Sequence, residues 1–151
     1  MSTAQNKELV RQMVEEVFNQ GNVSQAEKYL APDFVEREEL PPGIPRDREG
    51  VKHLTTMLRS AFPDFKATID DIVAEGDKVV IRQTWSGTQK GEFMGIPPTG
   101  QSVSFGVIDI IRIADIDTPE VHGYRCAAEK ALGDRATVRL LNRLGCYVLV
   151  A

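Results

Sequence analysis

Apolar residues recur at helical spacing in the first third of the chain. The first stripe predicts a helix of about four turns, which Asn6 can cap and Gly21 can close. Its members are Leu9, Val10, Met13, Val14, Val17 and Phe18. The segment 24–27 has capping-box form and predicts a short second helix that Pro32 ends. A further stripe predicts a third helix over residues 47–61. Its members are Val51, Leu54, Met57, Leu58 and Ala61.

From residue 65 the apolar period changes to two, which is typical of strands. Residues 66–73 alternate, residues 75–78 read as a turn, and residues 79–89 form the next strand of a hairpin. Residues 101–113, rich in Val, Ile and Phe, predict a long third strand. Helices followed by antiparallel strands predict an α+β fold, with the N-terminal helices packed on one face of a curved sheet. Residues 127–144 are compatible with a helix, although Gly133 interrupts it.

Composition narrows the class of protein. The length of 151 residues fits one domain, and the net charge of -4 with no Lys/Arg cluster argues against nucleic-acid binding. The polar N-terminus lacks a signal peptide's apolar core, and no apolar run is long enough to span a bilayer, so we expect a cytoplasmic protein. Cys126, Cys146 and two histidines match no metal-ligand spacing, and no metal site is predicted.

Several short segments occur in the order of landmarks of a known family. They are Phe18-Asn-Gln-Gly-Asn22, Tyr29-Leu-Ala-Pro-Asp-Phe34, Ala61-Phe-Pro-Asp64, Ala74-Glu-Gly-Asp-Lys-Val-Val80 with Gly87-Thr88, and Gly91-Glu-Phe-Met-Gly-Ile-Pro-Pro-Thr-Gly100. This series resembles the SnoaL-like polyketide cyclases (ester cyclases) of the nuclear-transport-factor-2-like superfamily. The resemblance covers roughly residues 5–115.

The resemblance implies a cone-shaped α+β barrel that encloses a ligand pocket. It implies one domain over residues 1–151, a small-molecule ligand, a homodimer packed through the sheet, and ring closure by an intramolecular aldol step without a cofactor. The reaction needs a base that removes a proton next to a carbonyl, and a hydrogen-bond donor for the resulting oxyanion. Carboxylates in an apolar pocket can serve, since desolvation raises their pKa.

The chain departs from the family pattern at two points. Gln89 stands where the family often has His, and the series ends after Asp115. Family members continue with Gly-Lys-Ile-x-Glu-His-Trp and then a catalytic Asp on the last strand. In residues 116–126 only Glu120 aligns, His122 is one position out of register, and no Asp follows before Asp134. Residues 116–151 are therefore an atypical tail, produced either by divergence or by a change of reading frame.

Asp109 is the first candidate for a catalytic acid or base. It shares a strand face with Val103, Phe105, Val107, Ile111 and Ile113. A buried carboxylate needs a partner or a chemical role, and the alternative is a structural pair with a donor such as Arg82. Glu36 and His122 are the other catalytic candidates. Glu38 shares a face with Glu36, and both are either at the pocket mouth or solvated charges before residues 41–45.

The remaining candidates are ligand-binding residues. Arg82 and Thr84 share one face of the second strand and Trp85 lies on the other. If the first face is concave, Arg82 can hold an anionic or carbonyl group of a ligand; the alternative is a structural pair with Asp109 or Asp71. His53 borders the stripe of the third helix. Phe93 and Met94 form either a flap over the pocket or a plug of the open end. The sequence leaves two functions open, a cyclase or isomerase and a non-catalytic binding or dimerisation module.

Overall fold

Three helices and two helical turns precede the sheet. The computed structural model describes residues 1–37, 40–114 and 120–129, with the backbone alone for residues 114 and 120–129. The helical elements are α1 (Thr3–Met13), a π-helical turn (Val14–Asn19), a 3-10 turn (Val23–Gln25), α2 (Ala26–Tyr29) and α3 (Arg48–Ala61). No helix among the residues in these ranges has the length and apolar character that a membrane span requires.

The predicted caps are partly wrong. Ser2, not Asn6, caps α1, because Ser2 and Gln5 form a reciprocal capping box. Asn6 is buried instead and donates its side-chain amide to the carbonyl of Gly76 at 3.1 Å. Residues 24–27 form no capping box, since Ser24 donates its hydroxyl to Asn22. The third helix is confirmed, with a 14-residue span capped by the side chain of Asp47.

The sheet consists of four antiparallel strands in the order in which they occur along the chain. They are β1 (Lys66–Glu75), β2 (Lys78–Thr88), β3 (Ser102–Ala114) and β4 (Glu120–Glu129). The hairpin and the third strand are confirmed. The helix predicted from residue 127 is wrong over residues 127–129, because β4 pairs with β3 along its length and this pairing overrides a weak helical pattern. The rest of that predicted helix lies outside the described residues.

The helices cover one face of the sheet, here called the inward face. On β2 it carries Val79, Ile81, Gln83 and Trp85, and on β3 it carries Phe105, Val107, Asp109, Ile111 and Ile113. The apolar members of this set are buried with Val10, Val14 and Val17 from the N-terminal helical segment and with Leu58 of α3. The predicted α+β architecture, with N-terminal helices packed on an antiparallel sheet, is therefore confirmed.

A close backbone contact fixes the start of α3. A Cβ atom at Gly50 would lie 1.7 Å from the carbonyl oxygen of Pro45, so only glycine fits at this position. Asp47 accepts hydrogen bonds from the backbone of Glu49 at 2.9 Å and of Gly50 at 3.1 Å. The proline-rich loop and the first turn of α3 are therefore packed as one unit.

We predict that Gly50→Ala destabilises the protein, although alanine is the better helix former. The clash is with a backbone oxygen that must shift, and overpacking of this kind costs about 1–3 kcal/mol. Urea denaturation measures the change in unfolding free energy. Ser60→Ala, an exposed position of the same helix, is the control and should change it little. A Gly50→Ala protein as stable as the wild type would contradict the contact.

Candidate functional site

Gln83 and Asp109 form a polar pair on the inward face of the sheet. The side-chain amide of Gln83 donates to Oδ2 of Asp109 at 2.5 Å. Gln83 is only 3% exposed and Asp109 is half-buried. The register places Gln83 opposite Val107 and Asp109 opposite Ile81, so apolar residues surround the pair within the sheet. The placement of Asp109 on the apolar face is as the sequence predicted.

Trp85 lies two positions beyond Gln83 on the same face, within a group of aromatic rings. Its ring centroid is 5.4 Å from that of Phe65, 6.0 Å from that of Phe105 and 6.1 Å from that of Phe18. Phe18 belongs to the π-helical turn, a rare element that is frequent at functional sites. Trp85 is thus part of the core that borders the Gln83–Asp109 pair.

Arg82 and Thr84 lie on the outer face of the sheet. Arg82 forms ion pairs with Asp71 at 2.6 Å and with Asp70 at 3.4 Å, and Thr84 donates its hydroxyl to Asp70 at 2.7 Å. Arg82 and Thr84 are therefore on the face of the sheet that lies opposite to the helices, and their predicted binding of a ligand stays a prediction. The alternative pairing of Arg82 with Asp71 is confirmed, and Gln83 donates a hydrogen bond to Asp109.

The other acid and histidine candidates belong to segments other than β2 and β3, or lie outside the described residues. Glu36 is half-buried, and its backbone N–H donates to the carbonyl of Arg46 at 2.9 Å. His53 is exposed on α3. The backbone register pairs His122 with Arg112. Glu38 lies outside the described residues.

The connection between β2 and β3, residues 91–100, is a flap held by the side chain of Gln89. Gln89 is buried, and its amide nitrogen donates to the carbonyls of Ile96 and Pro97 at 3.2 Å and of Gly91 at 3.4 Å. Its amide oxygen accepts from the hydroxyl of Thr99 at 2.8 Å. One side chain therefore links both ends of the flap.

The tip of the flap places one residue in the core and one at a surface cavity. Phe93 is fully buried with its ring edge-on to Phe62, and it exchanges two backbone hydrogen bonds with Ile96. Met94 follows with a positive φ of 51°, which strains a residue other than glycine. Phe93 is thus a core plug, whereas Met94 borders open space.

That open space is a cavity of about 580 Å³, within the range of small-molecule sites. Its lining consists of Pro41, Pro42, Gly43, Ile44, His53, Met57 and Met94. It brings together two predicted ligand-binding residues, His53 and Met94, but neither Asp109 nor Trp85. A second depression, of about 450 Å³, lies between α1 and β1, and none of the predicted site residues whose side chains are described lines it.

Asp64 forms hydrogen bonds with the last residue of β2, just before the flap begins. It accepts hydrogen bonds from the backbone N–H of Thr88 at 2.6 Å and from its hydroxyl at 2.8 Å. These two bonds, the backbone one first, hold the pKa of the Asp64 carboxyl below its ordinary value of 3.8. The carboxylate form therefore stabilises this strand end above that pH, and the contribution is lost as the pH falls through the lowered pKa.

Two residues of the site were missed by the sequence analysis. Gln83 sits in the alternation of Val79, Ile81 and Trp85, and a polar residue at such a position signals a buried polar group. Gln89 was noted only as a departure from the family. Within the described part of the chain, no group of three or more His, Cys, Asp and Glu residues could hold a metal ion.

Comparison with protein families gives a match to the SnoaL-like polyketide cyclase model over residues 8–118. Comparison with curated proteins gives no significant match. Among solved structures, TsrD from Streptomyces laurentii is similar with a TM-score of 0.73 and 28% identity, covering 96% of this chain and 98% of that one. IdmH from Streptomyces antibioticus is 33% identical with a TM-score of 0.66, covering 93% and 99%. AclR from Streptomyces galilaeus is 30% identical with a TM-score of 0.70, covering 95% and 88%.

We predict that Gln89→Leu loosens the flap without unfolding the sheet. The substitution removes the bonds to Ile96, Pro97 and Thr99, and the amide of Gly100 should then exchange its hydrogen roughly tenfold faster or more. Hydrogen exchange followed by mass spectrometry measures this change. Lys90→Ala, at the adjacent exposed position, is the control. Unchanged exchange across residues 91–100 in Gln89→Leu would show that the side-chain hydrogen bonds of Gln89 do not order the flap.

Proposed function

The chain belongs to the SnoaL-like polyketide cyclase family, and on this premise we propose that it binds a small, largely apolar carbonyl compound against the inward face of the sheet. There Asp109 acts as the acid and base of an aldol cyclisation or isomerisation that needs no cofactor. We infer the class of ligand from the family, and we infer the chemistry from the residues of this chain.

The observation that carries the proposal is the hydrogen bond from Gln83 to Asp109. A neutral amide orients a carboxylate without cancelling its charge, whereas an arginine partner would form an ion pair and make it a weaker base. Asp109 also lies between Val107 and Ile111, which are buried on the same face. A largely apolar surrounding in which an amide orients the carboxylate is an environment where that carboxylate can exchange a proton with a bound ligand.

In the proposed reaction the Asp109 carboxylate removes a proton from the carbon next to a carbonyl. The resulting enolate forms a carbon–carbon bond with a second carbonyl of the same molecule, and the alkoxide takes the proton back. The product is an isomer of the substrate, so no oxidant or other reactant is consumed. We propose Glu36 as the candidate for a second acid or base in this step, since the backbone of His122 pairs with Arg112, an exposed residue of β3.

We predict that Asp109→Asn lowers the rate of this reaction by roughly 10²- to 10⁴-fold while ligand binding is retained. Asparagine keeps the size and can still accept the bond from Gln83, but it cannot take up the proton. A screen of polyketide-like β-dicarbonyl compounds, followed by mass spectrometry and chromatography, detects the isomeric product. Asp71→Asn, a carboxylate on the outer face, is the control. A fully active Asp109→Asn protein would refute the role of Asp109.

A second observation favours a homodimer packed through the outer face of the sheet. Val73, Val80 and Ile110 are cross-strand neighbours on β1, β2 and β3, and together they form an apolar row. Val73 is 61% exposed and Ile110 is 37% exposed, which is unusual for large apolar residues placed side by side. We propose this row as the centre of the dimer interface, with the ion pair of Arg82 and Asp71 near its rim.

We predict that Ile110→Lys weakens the dimer at least roughly tenfold, because it places a charge in the centre of the apolar row. Light scattering coupled to gel filtration over a dilution series measures the molar mass. Gln12→Lys, an equal charge change on the exposed side of α1, is the control and should remain dimeric. A wild-type protein that is monomeric at all concentrations would contradict the interface.

A further inference from the structure

Within the part of the chain that the structure describes, two buried polar atoms at the Gln83–Asp109 pair have no hydrogen-bond partner. They are the indole Nε1 of Trp85 and the amide Oε1 of Gln83, and the two residues are 8% and 3% exposed. A buried donor or acceptor that stays unpaired is destabilising, and folded proteins contain few of them. Two such atoms at neighbouring positions of one strand face therefore require an explanation.

The two atoms have complementary chemistry. The indole N–H is a donor only, and the free amide oxygen of Gln83 is an acceptor, because its nitrogen is already bonded to Asp109. Positions 83 and 85 are both on the inward face, so their Cα atoms lie about 6–7 Å apart along β2. A single ligand that carries an acceptor and a hydroxyl donor at this spacing would satisfy both atoms.

We propose that Trp85 and Gln83 form the polar recognition site for a hydroxylated carbonyl compound, with the carbonyl oxygen bound by the indole N–H of Trp85 and the hydroxyl bound by Oε1 of Gln83. The inference rests on the proposed function, since it assigns the ligand's orientation in the same site. It adds which oxygen atoms the ligand must carry and where each one binds.

The register indicates that Trp85 anchors the ligand and takes no part in the proton transfer. Asp109 lies opposite Ile81, and Trp85 is four residues further along β2, at a Cα separation of about 13 Å. A carbonyl held by Trp85 is therefore remote from the carbon that Asp109 would deprotonate. Loss of the indole N–H should raise KM and leave kcat nearly unchanged.

One competing explanation is an N–H···π contact with a neighbouring ring, since Phe65 lies edge-on to Trp85 with an interplanar angle of 85°. The two explanations differ in a measurable way. An indole N–H that is shielded by a ring resonates upfield and ignores added ligand. The signal of an indole N–H that donates to a ligand carbonyl shifts downfield when the carbonyl binds.

The chain contains a single tryptophan, so a proton–nitrogen correlation spectrum of the wild-type protein has one indole N–H signal. The test is a titration of the protein with acetophenone, which carries a carbonyl, and with ethylbenzene, which has the same ring and no acceptor. The proposal expects a saturable downfield shift with acetophenone alone. No shift with acetophenone up to its solubility limit, or the same shift with both compounds, overturns it.

Trp85→Phe provides the matched variant, because it keeps an aromatic ring among Phe18, Phe65 and Phe105 and removes the donor together with part of the ring volume. The loss of ring volume affects both compounds, so calorimetry should show acetophenone binding weakened roughly 3- to 10-fold more than ethylbenzene binding. Equal losses for both compounds overturn the proposal. The indole shift should persist in Asp109→Asn, so failure of catalysis and failure of this recognition site are separate results.

Discussion

The register between β2 and β3 decides what the inward face of the sheet presents. The register that sets Val79 beside Ile111 and Trp85 beside Phe105 also sets Gln83 and Asp109 on the same face. Since side chains alternate along a strand, a slip of one residue would turn Arg82 inward and expose the apolar set. The burial of the neighbouring apolar residues therefore holds a polar pair in a position that the pair itself would not favour.

Beyond the end of β2, the flap is fixed to α3 by backbone contacts. The backbone N–H groups of Lys90 and Gly91 both donate to the carbonyl of Ala61 at 2.9 Å, which ties the flap to the last residue of α3. A Cβ at Gly91 would lie 2.5 Å from the carbonyl oxygen of Ser60, so this approach requires glycine. Gln89 then orders the flap internally. The strain at Met94 is confined to the tip of a segment fixed at its base.

Local patterns in the sequence predicted most of the fold but only part of the site. The stripe of α3 and the alternation in β1, β2 and β3 gave these elements to within about two residues, because burial of one face enforces a period. The cap of α1 was misplaced because Asn6 is an equally good capping residue whose side chain is used in tertiary contact. The strand β4 was missed because its pairing with β3 is a long-range interaction that no local pattern encodes. The position of Asp109 on the inward face could be predicted because a charged residue stands out in an apolar alternation, whereas a neutral amide such as Gln83 gives a weaker signal.

The central claim is that a carbonyl ligand binds against the inward face beside Gln83 and Asp109, and not in the surface cavity between His53 and Met94. A crystal structure of the protein soaked with 1,3-cyclohexanedione, a small β-dicarbonyl compound, tests it most directly. Binding against the inward face predicts that the enol hydroxyl of the probe donates to Asp109 or to the free amide oxygen of Gln83. A probe found only in the cavity lined by Pro41, His53 and Met94, with the inward face unchanged, would contradict the account.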